Sequence, residues 1–359
     1  MRARGRRSKV YALAASLWVT GAGAQSDYFP EVLSASFEIL DRDGMPRRID
    51  IDYLTPPGRL YDVGTHKLHL FCAGRGRPTV VLEAGLGGFS LEWLTVMQQL
   101  AGERRVCAYD RAGYGWSEYG PPPRTTEVLT AELKTLLERA GEPGPYLLAG
   151  HSFGGYVVQA FARRWPDRVT GIVLVDSSHP EQDRYLPAAP RPKRPRVPGA
   201  RVKNVARPVM PPGYPNSVRN VAYYLMGTRK ASRTQREELR KMAESGREVL
   251  RAGPVPASLD VTVLSRTFAL GDPEGLSGHS PREDLELTWQ ALQSNLGHVY
   301  HAERVDARFS GHFVHLDQPW LVTEAISGVI DRNCFGRICL TAAHAASVAH
   351  GGGAAERRR

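Results

Sequence analysis

A serine hydroxyl is a weak nucleophile at neutral pH unless a base lies within hydrogen-bond reach and the chain presents it to a substrate. The segment Gly150-His151-Ser152-Phe153-Gly154 offers such a presentation. It follows an apolar run from Tyr146 to Ala149 that is short enough for a buried strand, and it precedes a helix-compatible stretch from Tyr156 to Arg164. Strand, serine and helix in that order form the context of a nucleophile elbow, a turn so tight that only small residues fit beside the serine. Gly150 and Gly154 are those small residues. The turn lifts the Ser152 hydroxyl out of the sheet edge, and the helix N-terminus behind it favours developing negative charge.

The base is expected in Ser310-Gly311-His312-Phe313-Val314-His315, a loop between the last strand and the closing helix. His312 is preferred because Gly311 lets the chain turn inward; His315 instead reads as packing against or capping the final helix. The acid that orients the imidazole has two candidates, both in the chain order Ser, Asp, His. Asp176 ends the strand Gly171–Val175 at the same sheet edge as the elbow, and Asp272 follows the next core strand in a looser loop. Asp176 is favoured. Oxyanion donors are expected at the backbone N–H of Phe153, directly after the nucleophile, and of Leu86 in the loop Ala84-Gly85-Leu86-Gly87-Gly88. That loop has neither the Lys-Ser/Thr of a P-loop nor Rossmann spacing, so a nucleotide-binding reading fails. His298 and His301 fall on opposite faces of an expected strand, His298–Val305, and read as structural. No Cys/His spacing suits zinc, and the chemistry calls for no cofactor.

Strand-like and helix-like runs alternate, which indicates a mainly parallel sheet. Strands are expected at Lys67–Cys72, Thr79–Glu83, Arg105–Tyr109, Tyr146–Gly150, Gly171–Val175 and Val261–Ser265. Helices are expected at 90–102, 125–140, 153–164 and 281–296, with Gln318–Arg332 as the closing helix. In the second of these, Leu129, Leu133, Leu136, Leu137 and Ala140 share one face. Residues 25–58 read as an extension bearing a hairpin around Asp43-Gly44. Residues 178–258 break the alternation: prolines crowd 187–212, then a charged helical stretch follows, as in a cap inserted over a site.

The chain has 359 residues and a formal charge of +10. Residues 1–24 read as an export signal, with Arg2, Arg4, Arg6, Arg7 and Lys9 before an apolar run and Ala22-Gly23-Ala24 as a cleavage site. Its removal leaves a charge of +5, and Arg191 to Arg207 plus the Arg-rich end carry the basic excess. The body is therefore not basic, which argues against nucleic acid as a partner. No later segment is long and apolar enough to span a membrane. The implied location is secreted or periplasmic. Cys72, Cys107, Cys334 and Cys339 permit disulfides there, with three pairings open. The domain plan is a signal at 1–24, the extension at 25–58, a catalytic domain at 59–333 with its cap at 178–258, and a partly disordered tail at 334–359.

Gly85-Leu86-Gly87-Gly88, Asp110-Arg111-Ala112-Gly113-Tyr114-Gly115-Trp116-Ser117, Gly150-His151-Ser152-Phe153-Gly154 and Gly311-His312 occur in order. With them the chain resembles the α/β-hydrolase superfamily, in its large group of single-domain serine hydrolases, over about residues 59–333. The resemblance implies an α/β-hydrolase fold with an eight-stranded, mostly parallel sheet in which the strands of Cys72 and Cys107 are neighbours. It implies ester, amide or related hydrolysis without a cofactor, and it makes the Asp110 segment a structural turn. The chain departs from the family in having Glu83-Ala84-Gly85 where many members have His-Gly. The expected function is an exported carboxylesterase or lipase-like enzyme acting on a small or lipid-like ester through an acyl-enzyme. An aminopeptidase or amidase is the alternative; it would hold a substrate ammonium on Glu237, Glu238 and Glu244, which read first as a solvated helix face. A non-catalytic binding protein of the same fold is the alternative of another class. The sequence assigns no oligomeric state.

Overall fold

The computed structural model describes residues 34–40, 45–52, 55–186, 214, 216–267 and 281–334. A two-stranded antiparallel hairpin, β1 (Ser34–Leu40) and β2 (Pro46–Asp52), comes first and pairs Phe37 with Ile49. The main sheet follows: β3 (Arg59–Asp62), β4 (Lys67–Ala73), β5 (Thr79–Glu83), β6 (Val106–Tyr109), β7 (Tyr146–His151), β8 (Val169–Val175), β9 (Asp260–Arg266) and β10 (Glu303–Ala307). Its spatial order is β10-β9-β8-β7-β5-β6-β4-β3. The first two pairings, β3 with β4 and β4 with β6, are antiparallel, and the other five are parallel.

Every residue of β5, β6 and β7 is buried, because helices cover both faces of a parallel sheet. One face carries α1 (Leu94–Leu100) and α10 (Pro319–Cys334); the other carries α2 (Thr126–Arg139) and α3 (Gly154–Arg164). In α2 the buried stripe is Leu129, Leu133, Leu136 and Leu137, the apolar face its spacing dictates. Between β8 and β9 come α4 (Gln182–Tyr185), α5 (Asn216–Met226), α6 (Arg229–Arg240) and α7 (Met242–Arg251). Two more helices, α8 (Pro281–Tyr300) and α9 (Val314–Asp317), lie either side of β10.

The turn after β6 acts as a buried fastener. The Asp110 carboxylate accepts from Ser90 N–H at 2.9 Å, Trp116 N–H at 2.9 Å and His69 Nδ1 at 2.9 Å. One side chain thus ties β4, the segment after β5 and its own turn together.

One expected strand is corrected. His298–Val305 does not form a single strand: α8 runs on to Tyr300, and β10 begins at Glu303. The Val299-Tyr300 pair favours a strand locally, but the Tyr300 ring is buried and its hydroxyl accepts from Arg163 Nε at 3.1 Å and donates to Gln159 Oε1 at 3.1 Å, contacts that hold the helical end. His298 is therefore helical and His301 lies just past the helix with φ 48°, so the opposite-face reading of the two falls away.

Cys72 and Cys107 sit opposite each other on β4 and β6 and form a disulfide. Cys339 lies outside the described residues. A cross-link closing 35 residues removes about 3–4 kcal/mol of denatured-state entropy in the chain-entropy model. The double variant Cys72→Ala/Cys107→Ala should lose stability of that order in chemical denaturation under oxidising buffer. Matching midpoints for variant and parent would contradict this.

Candidate active site

β7 ends at His151, and α3 begins at Gly154, so the chain reverses within two residues. Ser152 takes φ 51°, a left-handed conformation that costs a residue with a Cβ about 1–3 kcal/mol. Packing offsets the strain. Ser152 N–H donates to Val175 O at 3.1 Å, and its carbonyl accepts from Ser178 N–H at 2.9 Å. A Cβ on Gly150 would come within 2.7 Å of Gly154 O, and one on Gly154 within 2.6 Å of the Glu83 and Ala84 carbonyls. Both glycines are therefore steric requirements, as the sequence pattern predicts.

The structure brings His312 to Ser152. Its Nε2 stands 2.9 Å from the Ser152 Oγ, and its Nδ1 stands 2.6 Å from Asp176 Oδ2. The loop that carries the imidazole is fixed from behind. Gly311 N–H donates to Asp317 Oδ2 at 2.8 Å, and the His312 carbonyl accepts from His151 Nε2 at 2.8 Å. Asp176, at the end of β8, is fully buried with φ 41°. Burial alone would raise its pKa. The hydrogen bond and charge of His312, the charge of Arg266 and the Trp289 indole N–H outweigh that and hold it below the usual carboxylate range. Trp289 Nε1 donates to Asp176 Oδ1 at 2.8 Å, while the Arg266 guanidinium pairs with Oδ2 and, at 2.9 Å, with Glu286. Asp272 lies outside the described residues.

The loop after β5 faces the same hydroxyl. A Cβ on Gly85 would sit 3.3 Å from the Ser152 Cβ. Gly88 N–H closes a turn on Gly85 O at 3.1 Å, with Gly87 at φ 82°. In such a turn the N–H of the second residue, here Leu86, takes no part in the closing bond. Among the described residues no protein acceptor pairs with the N–H of Leu86 or of Phe153. Arg111, fully enclosed, supports this loop. Its Nη1 donates to Ala84 O at 2.6 Å and Glu83 at 2.6 Å, and its Nη2 donates to Gly85 O at 2.7 Å. Its Nε donates to Glu238 of α6 at 2.9 Å.

Glu238 was expected among acids that hold a substrate ammonium. Instead it is buried on Arg111 and accepts from the Tyr114 hydroxyl at 2.8 Å. Glu237 pairs with Arg240 at 2.5 Å and Glu244 with Lys241 at 2.7 Å. Spacing places Ala231, Thr234 and Glu238 on the one buried face of α6, so the acid is turned inward by the helix itself. Arg266 and Trp289 are the site residues that sequence reasoning missed, while it reads Arg111 and Glu238 in other roles. The usable signal for Arg266 was its place one residue beyond the expected strand Val261–Ser265, at the edge where Asp176 ends.

His315 does not reach Ser152 but is fully buried, stacked between Trp93 and His151 with ring centroids 4.4 Å from each. Its Nε2 is 3.8 Å from Glu92 Oε2, beyond hydrogen-bond reach. Burial raises the Glu92 pKa to about 8, and burial together with His312 lowers that of His315 to about 3, so the two meet as neutral groups. The native state therefore retains the Glu92 proton that the unfolded chain releases above its ordinary value of 4.5. The stability this contributes is full below that value and is lost as pH rises toward about 8. His315 acts in reverse, its contribution present above 6.5 and lost as pH falls toward about 3. Glu92→Gln should flatten the decline of the melting temperature between about pH 5 and 8 while leaving the acid limb in place. Parallel melting curves for variant and parent over that range would count against it.

Residues 78–208 match the model of the alpha/beta hydrolase fold family. A curated relative described as an AB hydrolase superfamily protein, from Gibberella zeae, is 31% identical over 114 residues, which are 31% of this chain and 35% of that protein. The chain spans between 18% and 42% of the length of the curated relatives it matches. Among solved structures, Cfl2 of Burkholderia cenocepacia superposes with a TM-score of 0.56 at 23% identity, over 82% of this chain and 99% of that one. The 2-hydroxy-6-oxo-6-phenylhexa-2,4-dienoate hydrolase of Rhodococcus sp. strain RHA1 gives 0.53 at 20% identity, over 76% and 97%. Sheet order, elbow and family match agree: the chain has the α/β-hydrolase fold, and its residues 78–208 match that family.

Proposed function

We propose that the protein is a serine hydrolase that cleaves carboxylic esters of small or lipid-like substrates through an acyl-enzyme. One observation carries the reading: the unbroken hydrogen-bonded line from Ser152 Oγ to His312 at 2.9 Å and from His312 to Asp176 at 2.6 Å. His312 Nε2 takes the serine proton as Oγ attacks the acyl carbon, and Asp176 keeps Nδ1 protonated and stabilises the imidazolium. The N–H groups of Leu86 and Phe153 receive the developing oxyanion, a task for which each donor is worth about 2.7–4 kcal/mol. His312 then returns the proton to the departing alcohol. Water, deprotonated by the same imidazole, releases the acid. No step calls for a cofactor.

An ester is preferred to a substrate with a free amino terminus because Glu237, Glu238 and Glu244 are each engaged in an ion pair. The aminopeptidase alternative thereby loses the anchors it was built on. We further propose that the protein is exported, its first 24 residues serving as the signal. The Cys72–Cys107 disulfide supports an oxidising destination.

Ser152→Ala should lower turnover of a short-chain nitrophenyl ester by about four orders of magnitude or more while the protein still unfolds cooperatively. A folded Ser152→Ala protein with parental turnover would refute the assignment. Asp176→Asn, which leaves the imidazole in the wrong tautomer, should reduce kcat by about 10³–10⁴. Should Asp272→Asn collapse activity while Asp176→Asn retains it, the acid is Asp272.

A further inference from the structure

The geometry points to Glu238, on the cap helix α6, as the residue that positions the oxyanion loop, acting through Arg111; the inference rests on the proposed serine-hydrolase reading. The backbone just before Leu86 is held: the carbonyls of Ala84 and Gly85 accept from Arg111 at 2.6 and 2.7 Å. That support ends on one carboxylate, which Tyr114 also holds. Arg111 donates to Glu238 Oε1 at 2.9 Å and Oε2 at 3.1 Å, and Tyr114 donates to Oε2 at 2.8 Å.

Three further contacts make α6 the backing of this loop rather than a passing neighbour. The Gln235 amide nitrogen lies 2.6 Å from where a Cβ on Gly87 would be, so the cap presses directly on the loop. Thr234 packs against Gly113 in the turn that carries Arg111 and Tyr114. Lys230 Nζ donates to Gly115 O at 2.8 Å and Ser117 O at 2.5 Å in the same turn. A guanidinium that is fully enclosed and spends its donors on two carboxylates and two loop carbonyls leaves the backbone of residues 84–87 little freedom. The direction of the Leu86 N–H is then set by a residue of the cap. Glu238 touches neither Ser152 nor the substrate position, so it is a positioning residue.

Oxyanion donors act on the transition state more than on the bound substrate, which separates positioning from general support of the fold. Glu238→Gln keeps the shape and removes the charge, and Tyr114→Phe removes only the hydroxyl that donates to Glu238. Each folded variant should lose about tenfold in kcat, with KM within about threefold of the parent. Inhibition by an alkyl boronic acid, which mimics the tetrahedral intermediate at Ser152, should weaken by the same factor as kcat. Parental kcat and parental boronate affinity in both variants would overturn the inference, whatever their melting temperatures. An inert parent protein whose Ser152 is not labelled by a fluorophosphonate would instead refute the hydrolase reading itself.

Discussion

The left-handed backbone of Ser152 is the constraint on which the rest depends. A residue with a side chain does not occupy φ 51° by preference, and it stays there because three segments close on it. The end of β8 accepts its N–H through Val175 O, the segment after β8 binds its carbonyl through Ser178 N–H, and the loop after β5 lies against its Cβ at Gly85. The interactions that hold the hydroxyl out of the sheet are the same ones that bring the loop after β5 and the Asp176 strand alongside. A side chain at position 150 or 154 would force these segments apart, and the hydroxyl, the acid and the proposed donors would lose their common edge together.

The acid shows how the local charges are balanced. Asp176 is buried and bonded to His312, Trp289 and Arg266, so both of its oxygens are committed. Arg266 Nη1 lies 3.3 Å from His312 Nδ1, but a guanidinium has no acceptor, so the Nδ1 proton is directed to Asp176. A cation beside the imidazole would oppose the imidazolium that the proposed mechanism forms. Glu286 answers it, bonded to Arg266 Nη2 at 2.9 Å. The arrangement is thus two carboxylates for one guanidinium and one imidazole that would gain charge in the proposed reaction.

Much of the fold was legible because parallel strands covered on both faces must be apolar throughout, as Thr79–Glu83 and Gly171–Val175 are apart from their ends. The serine, both of its glycines and His312 were legible for a similar reason, since a tight turn admits few residue types. In the hairpin expected around Asp43-Gly44, Phe37 and Ile49 are register partners. What the sequence hid was long-range and polar. Arg266 meets Asp176, 90 positions earlier, and its place one residue beyond an expected strand is the one local sign of it. The acid of α6 reads as part of a solvated face because charged residues surround it, yet Glu238 lies on the one buried face of that helix and meets Arg111, 127 positions away. The end of α8 failed for the opposite reason: a local strand preference was overruled by the burial of Tyr300.

The polar cluster beneath the loop after β5 is costly in a way that itself needs an explanation. Burial raises the Glu83 pKa to about 7 in spite of Arg111 and the Tyr109 hydroxyl, so holding that carboxylate ionised works against stability. Replacing a buried ion pair with apolar residues of similar volume is often neutral or stabilising, so stability alone does not account for an Arg111 set between Glu83 and Glu238. Fixing direction does. Apolar contacts would fill the same volume yet leave the carbonyls of Ala84 and Gly85 free to rotate, and with them the Leu86 N–H. A guanidinium with its donors spent on those oxygens removes that freedom, and the second carboxylate comes from the segment inserted between β8 and β9. The part of the chain that would shape the substrate pocket is therefore mechanically joined to the part that would stabilise the transition state. A change in how α6 sits on this loop would be felt first at the carbonyls of Ala84 and Gly85.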